Sequence, residues 1–325
     1  MSESPSVGHL WPPALLKHWG VTESSLPADL LPLSDDLGLA PEITGHLMQV
    51  YRPLVERLAH TVSSRSQPLS LGINGAQGTG KSTAAEVIAH LLERQGFRVC
   101  RLSIDDLYLT RHERQTLAKT VHPLLATRGV PGTHDLVLGL RVMDELLRAD
   151  PTTTVAIPRF DKARDDRLPP QDWPAWQGKP HLIILEGWCV GARPQEHGAL
   201  SEPVNALERD RDPEGHWRRY VNDRLQDYQR LFDGLDHLVL LRAPSFEQVY
   251  QWRAEQEAAL ARRVAQEGRT APGLMSEDEL KQFISHYERL TRWILEEMPH
   301  RADLVFELNP AHRIERVIPS RGTAL

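Results

Sequence analysis

The segment with the clearest chemical meaning runs from Gly75 to Ser82, where the letters GAQGTGKS match the pattern G-x-x-x-x-G-K-[ST]. The apolar run LSLGI at 69–73 precedes it and an amphipathic stretch follows, so we predict a loop between a buried strand and a helix. Glycines in such a loop let successive backbone N–H groups converge on a phosphate, at a helix N-terminus whose dipole favours negative charge. An accidental glycine-rich turn, the alternative, does not account for the strand and helix around it.

Two side chains of this loop have distinct predicted roles beside the backbone. Lys81 is predicted to lie along the β- and γ-phosphates of ATP, and Ser82 to offer its hydroxyl to Mg²⁺. The residues predicted to bind the nucleotide are Gly75, Ala76, Gln77, Gly78, Thr79, Gly80, Lys81, Ser82 and Thr83.

Acidic residues follow two further apolar runs. Asp105 and Asp106 come after the run at 98–104, and Glu186 ends the run at 181–186. Open α/β sheets bind ligands at the carboxyl ends of their strands, where one carboxylate can accept the proton of a hydroxyl acceptor and another can hold magnesium. We predict that one of Asp105 and Asp106 serves as the base, and that Glu186 holds magnesium directly or through water. Solvated loop acids or a helix cap are the alternatives.

The segment RGVPGTHD carries polar groups around a tight turn. Its Pro-Gly pair favours the turn, and Arg128, His134 and Asp135 lie on either side of it, immediately before a predicted helix. A small anionic substrate requires such donors, and a guanidinium suits a carboxylate because it donates two parallel hydrogen bonds. The alternative is that Thr133 or Asp135 caps the helix and that Arg128 is a surface charge.

Three further basic residues are candidates for contact with the transferred phosphoryl group or the acceptor. Arg159 and Lys162 lie in the segment PRFDK after a short predicted strand, and Arg253 lies on the predicted helix after the fourth strand. Arg253 is predicted as a lid arginine. A solvated helix face is equally consistent with its position, and Arg262 and Arg263 on the same helix compete for the role.

The predicted elements place these residues at one edge of a sheet. Near-continuous apolar runs indicate buried strands at about 69–73, 98–104, 181–186, 237–241 and 303–307. Helical segments are predicted at about 47–58, 82–94, 134–147, 216–232, 245–265 and 276–298. Apolar strands separated by helices indicate a parallel sheet covered on both faces. We therefore predict an α/β fold, a P-loop NTPase three-layer α/β/α sandwich with a mainly parallel five-stranded sheet, a helical N-terminal extension and a lid. The polar stretch at 192–215 is predicted to be a surface excursion.

The composition of the 325 residues, 40% hydrophobic and 25% charged, is that of a globular protein with one extensive core. A formal net charge of −6 provides no global positive field, so we expect neither nucleic acid nor a membrane as partner. Cys100 and Cys189 lie in or beside apolar runs and are expected to be buried thiols in a reducing compartment. The sequence shows no signal-peptide pattern and no run of about 18 apolar residues, so a cytoplasmic protein is expected.

Several motifs together resemble those of the plant-type D-glycerate 3-kinase family, a branch of the P-loop kinases that includes uridine kinase, phosphoribulokinase and bacterial pantothenate kinase. They are GINGAQGTGKST, LSIDDLYLT, HPLLATRGVPGTHD, IPRFDKARDDR, LIILEGWCVG, VYQWRAEQE and GLMSEDELKQFISHY. The phosphate loop and the Asp-Asp-Leu-Tyr segment are shared across the wider superfamily. The segments RGVPGTHD and PRFDK are what narrow the resemblance to one family.

This resemblance implies an ATP- and Mg²⁺-dependent kinase of a small molecule, D-glycerate, which would be phosphorylated on its 3-hydroxyl. It implies Lys81 and Ser82 at ATP and magnesium, Asp105 as the base and Glu186 as the acidic metal partner. It divides the chain into an N-terminal extension at 1–45 and a P-loop kinase domain at 46–325, and it leaves the oligomeric state open. The residues predicted on the acceptor side are Asp106, Tyr108, Arg128, His134, Asp135, Arg159 and Lys162, with Arg253 as a catalytic residue of the lid.

Two other functions remain open at the level of sequence. A kinase for another hydroxyl substrate, such as a nucleoside, pantothenate or a sugar derivative, would show aromatic stacking surfaces and a larger pocket. A nucleotide-dependent switch would show N-K-x-D after an apolar strand, which the sequence lacks, and its D-x-x-G match at 212–215 follows no predicted strand.

Overall fold

A central sheet organises the molecule, and the computed structural model of the chain describes residues 10–21, 40–266 and 275–320. The strands within these ranges are β1 (Leu69–Gly75), β2 (Val99–Ser103), β3 (Thr154–Ala156), β4 (Phe160–Asp161), β5 (Asp166–Arg167), β6 (Ala175–Gln177), β7 (Leu182–Gly187), β8 (His237–Arg242), β9 (Leu304–Leu308) and β10 (Ile314–Pro319).

The large sheet has the strand order β10-β9-β8-β1-β7-β2, and its five neighbouring strands from β9 to β2 are parallel. These five are the strands that the apolar runs predict. The predicted number of five is nevertheless wrong for the whole sheet, because β10 pairs antiparallel with β9 at the edge. Its sequence IERVIP mixes charged and apolar residues over six positions, so it carries no clear strand period.

Helices cover both faces of the sheet, since β1 and β7 are buried along their full length. The α/β/α sandwich predicted from the apolar strands is therefore confirmed. The helices within the described ranges are α1 (Pro13–Trp19), α2 (Pro41–Ser63), α3 (Lys81–Glu93), α4 (Arg111–Thr120), α5 (Leu136–Leu147), α6 (Ala206–Arg211), α7 (His216–Phe232), α8 (Phe246–Gln266), α9 (Glu277–Ser285) and α10 (Glu288–Glu297).

One predicted helix is divided in the structure. The continuous helix expected at 276–298 is broken between α9 and α10, at His286 and Tyr287. The start at Ser276 is confirmed, because its side chain and that of Glu279 form a reciprocal capping box. At the break, the Tyr287 hydroxyl donates a hydrogen bond of 3.1 Å to the Arg128 carbonyl, which joins this helical pair to the acceptor-side loop.

The N-terminal part of the chain packs on the sheet where it is described. Trp11 is 1% exposed, donates its indole N–H to the Val50 carbonyl at 3.0 Å and lies edge-on to Phe306, with ring centroids 5.6 Å apart. Helix α2 begins at Pro41 and crosses the boundary predicted at residue 45. The division into an extension and a kinase domain stays a prediction, and residues 1–9 and 22–39 lie outside the described ranges.

The stretch at 192–215 is packed more closely than its polar composition suggests. Within it, Asp212 forms an ion pair of 3.1 Å with Arg218, and Glu208 one of 2.6 Å with Arg289. Both carboxylates are at least 98% buried. The stretch that was expected to be a surface excursion is therefore anchored by two ion pairs, in which an arginine neutralises each buried carboxylate.

No helix in the described ranges combines the length and the apolar character required to cross a membrane.

Candidate active site

The phosphate loop joins β1 to α3 as its sequence predicts. Gly78 and Gly80 have φ angles of +85° and +81°, in the region that favours glycine, and Gly80 lies at the N-cap of α3. A Cβ on Gly78 would lie 2.8 Å from Cβ of Trp252, so the loop is also packed against α8. Thr79 donates its hydroxyl to the Ala76 carbonyl at 2.8 Å, which closes the loop. The free N–H groups at the start of α3 can therefore face a phosphate.

The two residues predicted as metal ligands lie beside each other. Ser82 on α3 donates its hydroxyl to Oε1 of Glu186, at the end of β7, with a distance of 3.0 Å. The other oxygen, Oε2, is buried and has no hydrogen-bond partner within the described part of the chain. A hydroxyl and a buried carboxylate oxygen without a partner are suitable ligands for Mg²⁺, which binds few protein groups beside the phosphates of its substrate. The residues present therefore fit this metal.

Asp105 follows β2, which pairs with β7, and lies on the same side of the phosphate loop. Its Oδ1 accepts a hydrogen bond of 2.8 Å from the Tyr108 hydroxyl, and its Oδ2 accepts one of 2.8 Å from Lys162 Nζ. Burial alone would raise the pKa of Asp105. The charges of Lys162 and Lys81, together with the two hydrogen bonds, outweigh it and lower the pKa to about 2.

A cleft of about 380 Å³ brings these groups together. Asp105 lines it together with Ser82 and four cationic side chains, one from the phosphate loop and three from other parts of the chain. The described lining thus combines a phosphate site, one carboxylate and an excess of positive charge, as the transfer of a phosphoryl group requires. The cationic residues are Lys81, Arg128, Lys162 and Arg253.

Arg128 and Arg253, which line this cleft, each have a carboxylate partner. Arg128 Nη1 is hydrogen-bonded to Oδ1 of Asp165, and its guanidinium lies 5.5 Å from the centre of the Phe160 ring. Arg253 Nη1 lies 2.8 Å from Oε2 of Glu257, an ion pair that is not aligned as a hydrogen bond. Arg263, a competitor for the lid role, has its side chain outside the described structure.

Curated relatives are consistent with this geometry. An uncharacterized kinase of Schizosaccharomyces pombe is 36% identical over 228 residues, which cover 68% of this chain and 79% of that protein. The chloroplastic D-glycerate 3-kinase of Arabidopsis thaliana is 29% identical over 228 residues, which cover 68% of this chain and 46% of the relative. This chain belongs to the plant-type D-glycerate 3-kinase family. It is accordingly an ATP-dependent phosphotransferase that acts on an alcohol group.

A solved structure shows the same fold. The D-glycerate 3-kinase from Cryptococcus neoformans has a TM-score of 0.66 to this chain at 23% identity, covering 84% of this chain and 98% of its own. No protein-family model matches the sequence.

A second cleft of this kinase, of about 420 Å³, is lined by Ser82, Glu186, Asp106 and Arg159 among others. Asp106 accepts hydrogen bonds of 2.8 Å from Arg159 Nη1 and 3.0 Å from the backbone N–H of Phe160. Burial is the largest influence on Asp106 and raises its pKa despite these bonds. Two of the predicted acceptor residues are therefore paired with each other and do not line the cleft that Arg128 lines.

His134 and Asp135 of the kinase do not line the first cleft. His134 stacks on the Tyr108 ring with centroids 4.6 Å apart, and its Nδ1 lies 2.7 Å from the Tyr228 hydroxyl. Burial lowers the pKa of His134 to about 4, although the charge of Asp105 opposes the change. Asp135 caps α5 through the Leu138 N–H at 3.0 Å. The structure thus places both residues behind the cleft, which is where a structural role for them would be expected.

Three aromatic residues of the cleft wall, unlike Tyr108, were not singled out from the sequence. Trp188, Phe283 and Tyr287 line the cleft beside Gln256. Trp188 directly follows the Glu-Gly pair of β7, a position that could have signalled it. Tyr287 is distant in sequence from the loop at Arg128 and Gly129 that it contacts. Only the glycine at 129 gives a hint of this contact. Its φ angle is +129°, and a Cβ there would lie 2.1 Å from the Tyr287 hydroxyl oxygen.

Proposed function

We propose that this kinase transfers the γ-phosphoryl group of ATP, in the presence of Mg²⁺, to the 3-hydroxyl of D-glycerate and releases 3-phosphoglycerate. One observation carries the proposal: a single cleft of about 380 Å³ holds the phosphate loop, one ionised carboxylate at Asp105, and Arg128 and Lys162 beside it. A cleft that must hold the terminal phosphates and the acceptor together favours a small acceptor. Its excess of cations favours an acceptor that is itself an anion.

ATP would bind with its phosphates on the loop before α3. Backbone N–H groups and Lys81 would hold the β- and γ-phosphates, and the helix dipole adds to their attraction. Magnesium, which Ser82 and Glu186 would hold, would supply positive charge that neutralises negative charge on the phosphate oxygens as the phosphoryl group leaves. Lys81 and Arg253 would donate to the same oxygens, provided that Arg253 exchanges its Glu257 partner for the phosphate.

The acceptor hydroxyl would lie at Asp105. The carboxylate orients the hydroxyl, accepts its proton as the P–O bond forms, and needs one free oxygen to do so. In the structure Tyr108 and Lys162 occupy the two oxygens. Lys162 is the exposed partner, with 64% of its side chain accessible, so we expect the substrate to displace Lys162 and not the buried Tyr108.

The carboxylate of D-glycerate would be bound by Arg128. Only Nη1 of this guanidinium has a carboxylate partner within the described residues, at Asp165. The remaining N–H groups leave a second edge of the fork, which suits the two oxygens of a carboxylate. An uncharged sugar or nucleoside would leave this cation without a matching charge.

The aromatic side chains of the cleft weaken the case for a nucleoside acceptor. Tyr108, Trp188 and Tyr287 are at most 5% exposed, so their faces are already covered by the protein. Trp188 also donates its indole N–H to Thr291 at 2.9 Å and lies edge-on to Tyr287. The open stacking surface that a base requires is therefore not provided by these three rings.

The proposal is tested by ADP release from the purified protein with ATP and Mg²⁺. D-glycerate is compared with uridine, pantothenate and several sugars, and Lys81→Met serves as the variant without transfer activity. We expect strong stimulation by D-glycerate alone, with phosphate appearing on the 3-hydroxyl by NMR. Stimulation by one of the other acceptors and none by D-glycerate would refute the assignment of the acceptor while leaving the kinase activity intact.

A further inference from the structure

The turn between β4 and β5 holds Arg128 in place. Asp165 in this turn has a φ angle of +53°, one of only two non-glycine residues with positive φ in the described ranges. This left-handed conformation is unfavourable for a residue with a Cβ. Asp is one of the residue types that adopt it most readily, and its carboxylate here is used for contacts to two arginines.

The second of these arginines is Arg114 on α4, whose side chain is 1% exposed. It donates to the backbone carbonyls of Asp165 at 2.7 Å, Ala126 at 2.8 Å and Leu109 at 3.3 Å. Its Nη2 also lies 2.9 Å from Oδ2 of Asp165. A buried guanidinium that donates to three backbone carbonyls therefore also contacts one oxygen of the Asp165 carboxylate, and the other oxygen is bound to Arg128.

We propose that Asp165 is a positioning residue that orients the Arg128 guanidinium toward the acceptor, and thereby sets the preference of this kinase for an acceptor that carries a carboxylate. The inference rests on the proposed function, because it requires Arg128 to contact the acceptor.

Charge supports this assignment. One carboxylate between two guanidinium groups leaves a net charge of +1 on the cluster Arg114, Asp165 and Arg128, so the cluster can still bind one anion. A free arginine side chain loses rotamer entropy when it binds a substrate, and fixing Arg128 beforehand removes part of that cost from substrate binding. A carboxylate bound at the remaining edge of Arg128 would then meet a guanidinium already held in one orientation.

The test uses Asp165→Asn in the full-length protein. Asparagine keeps the size of the side chain, tolerates the left-handed conformation and retains the backbone carbonyl that Arg114 binds, while the negative charge and one of the two acceptor oxygens are lost. We expect KM for D-glycerate to rise about tenfold, as for the loss of one charge-assisted contact, with kcat and KM for ATP changed less than about twofold. Asp172→Asn, an exposed aspartate of the next turn, is the matched control and should change none of these constants.

A double-mutant cycle separates positioning from a general structural effect. If Asp165 acts through Arg128, then Asp165→Asn adds no further rise in KM to that of Arg128→Ala. An equal rise in both backgrounds, or no rise in either, would overturn the proposal. Asp165→Gly, which also accepts a positive φ, repeats the cycle if the asparagine variant does not fold.

Measurements on the wild-type protein distinguish a failure of the proposed function from a failure of the role proposed for Asp165. If it does not use D-glycerate but phosphorylates another compound, the acceptor assignment fails and the cycle is repeated with that compound. Loss of selectivity for an anionic acceptor in Asp165→Asn then supports the role of Asp165. An unchanged preference between anionic and uncharged acceptors refutes it.

Discussion

Lys162 Nζ lies 2.8 Å from Oδ2 of Asp105, so the proposed base and a cation proposed for the acceptor side are paired with each other. Burial alone would raise the pKa of Asp105, but Lys162, together with the charge of Lys81 and the hydrogen bond from Tyr108, lowers it to about 2, which keeps the carboxylate ionised but makes it a weak base. An anionic acceptor that attracts Lys162 would free one oxygen of Asp105 and strengthen it as a base in the same step. Binding of the acceptor charge and activation of the base would thus be coupled.

Removal of Lys162 should change the pH dependence of the reaction. In Lys162→Met the opposing charge is lost while burial remains, so the pKa of Asp105 rises. Because the base must be deprotonated, the acidic limb of kcat/KM should move to higher pH, whereas wild type should show no limb from Asp105 above about pH 4. We also expect kcat/KM for D-glycerate at pH 8 to fall about 100-fold.

The matched control is Arg164→Met, an exposed cation of the same turn. It should leave the pH profile of kcat/KM in place. An acidic limb at the same pH in Lys162→Met and wild type would show that Lys162 does not control Asp105.

Glu186→Gln should weaken the response to magnesium. The substitution keeps the volume of the side chain at the end of β7 but replaces a charged oxygen ligand with an amide. The Mg²⁺ concentration for half-maximal activity should rise about 10- to 100-fold, with a smaller change in thermal stability. Activity is measured against Mg²⁺ at fixed ATP, with Glu93→Gln at the distant end of α3 as control. An unchanged Mg²⁺ dependence would remove Glu186 from the metal site.

The sequence was sufficient to predict the parts of the fold that have a continuous apolar pattern over several residues. The five parallel strands are five to seven residues long and mostly apolar, and this pattern requires no knowledge of their partners. Strands β4 and β5 have two residues each and thus no period at all. The sequence therefore did not predict the turn between them, although Lys162 within it was predicted as a site residue.

In the site, too, a continuous segment could be predicted from the sequence, whereas contacts between distant residues could not. The loop at 75–83 is a continuous segment whose chemistry is fixed by its own sequence, and the structure has it between the predicted strand and helix. The contact of Asp165 with Arg128 joins residues 37 positions apart, and that of Tyr287 with Arg128 spans 159 positions. Packing of separate elements determines such pairs, and no local pattern marks them.

Asp135→Ala should reduce stability more than activity. The Asp135 carboxylate caps α5 and forms an ion pair of 2.9 Å with Arg167, and both contacts are lost together. We expect a loss of about 1–2 kcal/mol in the free energy of unfolding, measured with urea, and a change of less than about threefold in kcat/KM. Asp144→Ala, an exposed residue on the same helix, should cost about 0.5 kcal/mol or less. If the folded fraction of Asp135→Ala instead lost catalytic efficiency by about 100-fold or more, the acceptor role predicted from the sequence would be favoured.

His134 should make the stability of the protein sensitive to acid. Its pKa is about 4 in the folded state because burial disfavours the charged ring, and about 6.5 in the unfolded chain. Between these pH values the unfolded chain binds more protons than the folded protein, so the free energy of unfolding rises with pH. The contribution of His134 to stability is therefore lost as the pH falls from about 6.5 towards 4. The contribution lost between pH 7 and pH 5 is about 2 kcal/mol.

The comparison of wild type with His134→Gln isolates this contribution. Glutamine can still accept the hydrogen bond of Tyr228, and it does not titrate. Urea unfolding at pH 7 and pH 5 should show a decrease in stability that is about 2 kcal/mol smaller in the variant than in wild type, while His112→Gln on the exposed face of α4 should behave as wild type. Because the other histidines titrate in all three proteins, their effects cancel in this difference. An equal decrease in wild type and His134→Gln would mean that the ring behind Tyr108 is not held neutral by its burial.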